Sequence, residues 1–149
     1  MTSRAEANRI TRERAEELVS AVLKAEGYAV TNLNQLAGNF PLADLIARRE
    51  TRLLVQVRGT TISEGKYRTP PQKARTFNRL GVELGCPAVY AFAHLAPEQP
   101  VVRFALATEV AELAEEDEAN YSGVNAFHVN IGQFEIGVSR LQELLGHPR

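Results

Sequence analysis

The sequence predicts one α/β domain, on three observations. Apolar residues recur at helical spacing in two segments, near residues 11–26 and 70–84. Between them, Leu53, Val55 and Val57 alternate with Leu54, Gln56 and Arg58, the period of a strand. After them, Pro87–Ala93 is an almost unbroken apolar run, the pattern of a strand buried on both faces. With 149 residues, 44% hydrophobic and 23% charged, the chain suffices for one core and is too apolar for disorder.

The elements follow in order. Ala15, Leu18, Val19, Val22 and Leu23 line one face of a helix over 11–26, with Thr11 as N-cap and Gly27 closing it. A short strand covers Tyr28–Leu33. Gly38, Asn39 and Pro41 mark Asn34–Pro41 as a loop. Asp44–Arg48 and Arg52–Thr60 form a tight hairpin turning at Arg49–Arg52. Gly59–Thr69 reads as a polar loop. Pro70 and Pro71 open a helix that ends at Gly85, with Ala74, Phe77, Leu80 and Leu84 inward and Gln72, Arg75 and Arg79 on another face. Val101–Leu106 is a further strand. Thr108–Leu113 is a short helix before an acidic loop, Glu115–Asn120. Ala126–Ile131 and Phe134–Ile136 form a small hairpin, and Ser139 with Gln142 makes a capping box for a last helix ending near Gly146.

Several classes are excluded or disfavoured. No apolar run approaches the roughly 20 residues of a membrane helix, and the charged start lacks the apolar stretch of a secretory signal. Cys86 is the only cysteine, so an intrachain disulfide or a Cys-rich zinc site is impossible. The expectation is a cytoplasmic protein with no membrane partner. The net charge of −1 hides a segregation: residues 44–80 carry nine basic and three acidic side chains, residues 81–149 three basic and ten acidic. The middle block can present a positive surface to a polyanion, or simply keep the protein in solution.

The stretch ADLIARRETRLLVQVRGT, residues 43–60, carries the chemistry. A hairpin turning near residues 50–51 brings Asp44 opposite residues 57–58. Asp44 shares the face of Gln56 and Arg58 only if paired residue numbers sum to an even value, as with 44 opposite 58. That requires an odd loop or a bulge, since a two-residue turn pairs 44 with 57 and flips the face.

On these residues the chain resembles the PD-(D/E)XK nuclease superfamily, the restriction-endonuclease-like fold that includes archaeal Holliday junction resolvases. The resemblance covers roughly residues 11–95. It implies an α-β-β-β-α-β core with a mixed sheet flanked by helices, over about 11–107, and a C-terminal extension over about 108–149, within the single domain 1–149. Ala43-Asp44 stands for the proline-aspartate and Gln56-Val57-Arg58 for the (D/E)XK. Glu16, eleven residues before Gly27, stands for the resolvase-like helix glutamate, and Gln72 for the supporting glutamine.

The resemblance implies Mg²⁺ or Mn²⁺ held by Asp44, Gln56, the Val57 carbonyl and Glu16, because phosphodiester hydrolysis uses a hard cation on oxygen ligands. Its catalytic set is Asp44, Gln56, Arg58 and Glu16. Two departures stand out. Gln56 replaces a carboxylate and brings no charge, and Arg58 replaces the lysine with a fork that stays protonated. Lys66 and Lys73 are the amines nearest in sequence that could substitute.

DNA, duplex or branched, is the implied partner, contacted by Arg48, Lys66, Arg68, Gln72, Lys73, Arg75 and Arg79. The implied function is a metal-dependent DNA endonuclease. The alternative is a weakened or inactive nuclease-fold module that binds nucleic acid or a protein. A homodimer, and a protein partner at the acidic C-terminal region, remain open. Plainer readings stand beside each residue: Arg58 as a structural ion pair for Asp44, Glu16 as a solvated helix residue, and Gln72, Arg75 and Arg79 as an exposed face. His94, His128 and His147 form no ligand pair, and Cys86 reads as a core residue.

Overall fold

The computed structural model describes residues 3–37, 43–60, 65–96, 98–120 and 127–146, without the side chains of Lys66 and residues 118–120. Helix α1 (Arg4–Ala25) leads into strand β1 (Ala29–Asn32), a short helix α2 (Leu33–Ala37) and strands β2 (Leu45–Arg48), β3 (Arg52–Thr60) and β4 (Lys66–Arg68). Helix α3 (Pro71–Leu84), strands β5 (Ala88–His94) and β6 (Val101–Leu106), helix α4 (Ala107–Asn120), strand β7 (His128–Asn130), a 3₁₀ turn (Ile131–Gln133) and helix α5 (Ser139–Leu144) complete the chain.

Five strands form a mixed sheet in the order β1-β2-β3-β5-β6. β3 and β5 run parallel, joined by the α3 crossover, and the other neighbours are antiparallel. Period-two alternation sorts β3 between two cores. Leu53, Val55 and Val57 pack with Ala15, Val19 and Leu23 of α1 and with Leu141 of α5. Leu54 packs on the opposite face with Ala74 and Phe77 of α3 and Val110 and Ala114 of α4. β5 is buried along all but its last residue, as its apolar run predicts.

The hairpin satisfies the parity condition. Leu45 faces Val55, Ala47 faces Leu53 and Arg48 faces Arg52, around an odd turn at residues 49–51 closed by the Arg49 N–H on the Thr51 carbonyl, 3.0 Å. One step beyond Leu45, the register sets Asp44 beside Gln56 rather than Arg58.

Several element boundaries differ from the sequence reading. α1 begins seven residues before Thr11, where the Ser3 hydroxyl accepts the Glu6 N–H at 3.1 Å. Its first turns are exposed and held by charge, with Arg9 on Glu13 at 3.0 Å, so apolar spacing gives no sign of them. Residues 33–37 are helical, and residues 38–42 of the expected loop lie outside the described residues. The expected 59–69 loop holds the end of β3 and all of β4.

Among the described residues the expected hairpin of 126–131 with 134–136 does not form, and Ala126 lies outside them. β7 pairs instead with β4, Tyr67 facing Val129, and Gly137 bridges to Arg103 of β6. The acidic residues 115–117 are not a loop but the continuation of α4, whose Ala107, Val110, Ala111 and Ala114 supply the buried stripe. Ser139 is not a cap: Val138 holds that position, with no side-chain hydrogen bond. Leu84 is 59% exposed, and Gly81 takes the inward place at the end of α3, where a Cβ would lie 2.4 Å from the Cys86 carbonyl oxygen.

Gly59 controls how closely α1 approaches the sheet. A Cβ there would stand 2.5 Å from the Ala15 Cβ, closer than real methyl groups come. Ala15 precedes Glu16, so this contact seats the α1 carboxylate at the sheet. Gly59→Ala is expected to cost about 1–3 kcal/mol through forced displacement of the helix. A melting temperature equal to wild type would show that α1 yields without cost.

Candidate functional site

The site forms where β2 stops short of β3. Val57 therefore has an N–H and a carbonyl with no strand beside them among the described residues, and buried backbone groups of this kind require partners. Two side chains supply them. The Asp44 Oδ2 accepts the Val57 N–H at 2.7 Å, and Nη1 of Arg58 donates to the Val57 carbonyl at 2.8 Å. The same Nη1 lies 3.8 Å from Asp44 Oδ2. Arg58 is fixed from a third side by Tyr67 of β4, whose hydroxyl accepts its Nε–H at 3.1 Å and whose ring centroid is 5.9 Å from the guanidinium carbon.

Glu16 reaches the site through carboxamides. It is only 4% exposed. Asn32 donates to Oε1 and Asn34 to Oε2, both at 3.0 Å. The amide of Asn34 also donates to Asp44 Oδ1 at 2.9 Å, bridging the two carboxylates. A buried carboxylate needs such donors, because desolvation without hydrogen bonds is costly.

The structure thus brings Asp44, Val57, Arg58 and Glu16 into one hydrogen-bonded network, with Gln56 beside it on the strand. Sequence reasoning missed Asn34 and Tyr67. Asn34 falls in the expected 34–41 loop, although the spacing Asn32-Leu33-Asn34 places two amides close together in sequence. Tyr67 was hidden as the lone aromatic of a polar stretch.

The donor set, as arranged, does not fit a divalent cation. One oxygen of Asp44 is engaged by the Val57 N–H and the other by Asn34, and the Val57 carbonyl is taken by a guanidinium. Among the described residues no cluster of three His, Cys, Asp or Glu side chains could hold a metal ion. The positive charge at this position is Arg58.

The expected nucleic-acid contacts divide. Gln72, Lys73, Arg75 and Arg79 are exposed on α3, and Arg68 is exposed at the end of β4 with its guanidinium 5.4 Å from the Phe127 ring centroid. Arg75 is engaged by Glu115 of α4, its Nε 2.9 Å from the carboxylate. Arg48 lies at the opposite end of β2 from Asp44, about 13 Å away by strand rise. Gln56, Arg58, Arg68 and Lys73 meet around a cavity of about 220 Å³ closed by Tyr67, Phe77 and Tyr90.

No family model matches the sequence, and no curated protein matches it. Among solved structures the chain is similar to Archaeoglobus fulgidus Hjc, a Holliday junction resolvase from an archaeal hyperthermophile. The TM-score is 0.59 at 17% identity, over 87% of this chain and 98% of that one. The fold is restriction-endonuclease-like. Within that fold, the Asp44 and Gln56-Val57-Arg58 positions lie side by side where β2 ends against β3, with Glu16 of α1 joined to Asp44 through Asn34.

Tyr90 lies under the site, 1% exposed, with its ring 5.4 Å from Phe77 and 5.9 Å from Phe92. Burial pushes its phenol well above the ordinary range and the neighbouring Tyr67 adds to this, while Arg58 opposes it. The folded state therefore holds this proton more tightly than the unfolded chain. Stability is full below the ordinary phenol pKa of about 10 and is lost as pH rises above it. Alkaline denaturation followed by circular dichroism is expected to be delayed in Tyr90→Phe. An unchanged alkaline limb would place the loss elsewhere.

Proposed function

We propose that the chain is a nucleic-acid-binding module on a nuclease fold, whose central cation is the guanidinium of Arg58. One observation carries this reading: Arg58 is held at once by the Val57 carbonyl, by Tyr67 and beside Asp44. A guanidinium stays protonated and presents a fork that matches a phosphate, but it does not generate hydroxide from water as a bound metal does. DNA is the polyanion favoured by the fold similarity, and the exposed Arg68, Lys73 and Arg79 support its docking.

A second reading is a Mg²⁺- or Mn²⁺-dependent endonuclease acting on DNA phosphodiester bonds. The convergence of Asp44, Gln56 and Glu16 favours it. It requires Arg58 to leave the Val57 carbonyl.

The two readings separate in one experiment. Labelled duplex, single-stranded and four-way-junction DNA are incubated with the protein in EDTA, Mg²⁺ or Mn²⁺, beside Asp44→Ala. Binding in EDTA without cleavage in any metal is expected, with affinity falling about tenfold or more between 50 and 200 mM salt. Metal-dependent cuts that vanish in Asp44→Ala would establish the nuclease instead.

Arg58→Lys shortens the side chain and restores an amine at the family's lysine position. Calorimetric titration with Mn²⁺ is expected to show binding in this variant and none in wild type. Equal heats from the two proteins would mean that Arg58 does not exclude the ion.

A further inference from the structure

The face of β3 that carries Gln56 and Arg58 does not end at a flat surface. Together with β4, β5 and the first turns of α3 it encloses the cavity of about 220 Å³. Its apolar walls are Tyr67, Phe77 and Tyr90, with Phe77 and Tyr90 each 1% exposed and 5.4 Å apart in an edge-to-face pair. Its polar lining includes the Gln56 carboxamide, the Arg58 guanidinium and the Lys73 ammonium.

This lining has two chemistries. The cations suit a phosphate. The aromatic walls and the carboxamide do not serve an inorganic anion, but they suit a planar heterocycle, which gains from ring contact and offers donors and acceptors on its edge. The volume falls below the roughly 300–1,000 Å³ of sites for drug-sized ligands, so the cavity admits one ring system. A base inside a duplex is stacked and paired and cannot enter. An unpaired or extruded one can.

We infer that this cavity receives a single unpaired nucleotide of bound DNA, its base against Tyr67 and Gln56 and its phosphate on Arg58 and Lys73. The inference rests on the nucleic-acid-binding reading and specifies the substrate class of that site: DNA with an interruption in its pairing. Arg58 then links the two halves of the site, since the same guanidinium that neutralises Asp44 lines the cavity. Tyr67 serves both as wall and as tether.

The test is fluorescence anisotropy in EDTA at fixed salt with three DNAs: a fully paired duplex, the same duplex with one bulged adenosine, and the same with an abasic bulge. The bulged adenosine is expected to bind about five- to a hundredfold more tightly than the paired duplex, and the abasic bulge to lose most of that gain. Tyr67→Phe keeps the ring and is expected to retain the preference, whereas Tyr67→Leu loses it. If Tyr67→Leu fails to fold, the three DNAs with wild-type protein still decide. Equal affinity for all three overturns the inference and leaves the nucleic-acid reading standing. Equal gains for abasic and adenosine bulges overturn the base contact. Failure to bind any DNA removes both.

Discussion

The end of a strand sets the chemistry of this protein. Where β2 terminates, Val57 is left with an N–H and a carbonyl that have no neighbouring strand among the described residues, and both must be satisfied. A carboxylate takes the donor and a guanidinium takes the acceptor. Each then neutralises the other across 3.8 Å. The rest of the architecture serves this arrangement. The odd turn fixes the register that puts Asp44 on the face of Gln56 and Arg58. Gly59 lets α1 come close enough for Glu16 to join through Asn34. β4 pairs with β7, some sixty residues later, and delivers Tyr67 to Arg58.

Much of this was legible in the sequence, for definable reasons. Period-two alternation in β3 separates Gln56 and Arg58 from the α1 core whatever the turn. Parity limits the turn to odd lengths if Asp44 is to share their face. Helical spacing from Ala15 to Leu23 locates Glu16 at the border of a buried stripe. What escaped depends on contacts that local pattern does not encode. Tyr67 sits in a three-residue strand held by a distant one. Asn34 lies in a five-residue helix, too short for its own periodicity. The charges of α4 mimic a loop after a short helix, although Ala107, Val110, Ala111 and Ala114 repeat at helical spacing. The polar start of α1 has no apolar face to announce it.

The charge segregation along the chain takes a different meaning in three dimensions. The acidic segment after residue 106 folds as α4 and packs beside α3, which carries Lys73, Arg75 and Arg79 of the basic block. Arg75 is spent on Glu115 there, and Glu109 holds Arg140 of α5. Among the described residues, the basic side chains lining the cavity are therefore fewer than the linear count suggests: Arg58, Arg68 and Lys73. A charge block read from sequence bounds an interface from above. The fold decides which of its side chains share a site.

A covalently attached cation also differs from a bound metal in what it permits. A metal ion can be lost, exchanged or joined by a second water, and it lowers the pKa of the water it holds. Arg58 is always present, always charged and has no vacant coordination position. Its geometry is fixed by three partners, so it presents the same donors whether or not divalent ions are supplied. A phosphate arriving at this site meets a preorganised hydrogen-bond donor and no activated nucleophile, and binding is the outcome such a group favours. The charge at this position is permanent, and the tether from Tyr67 holds it in place.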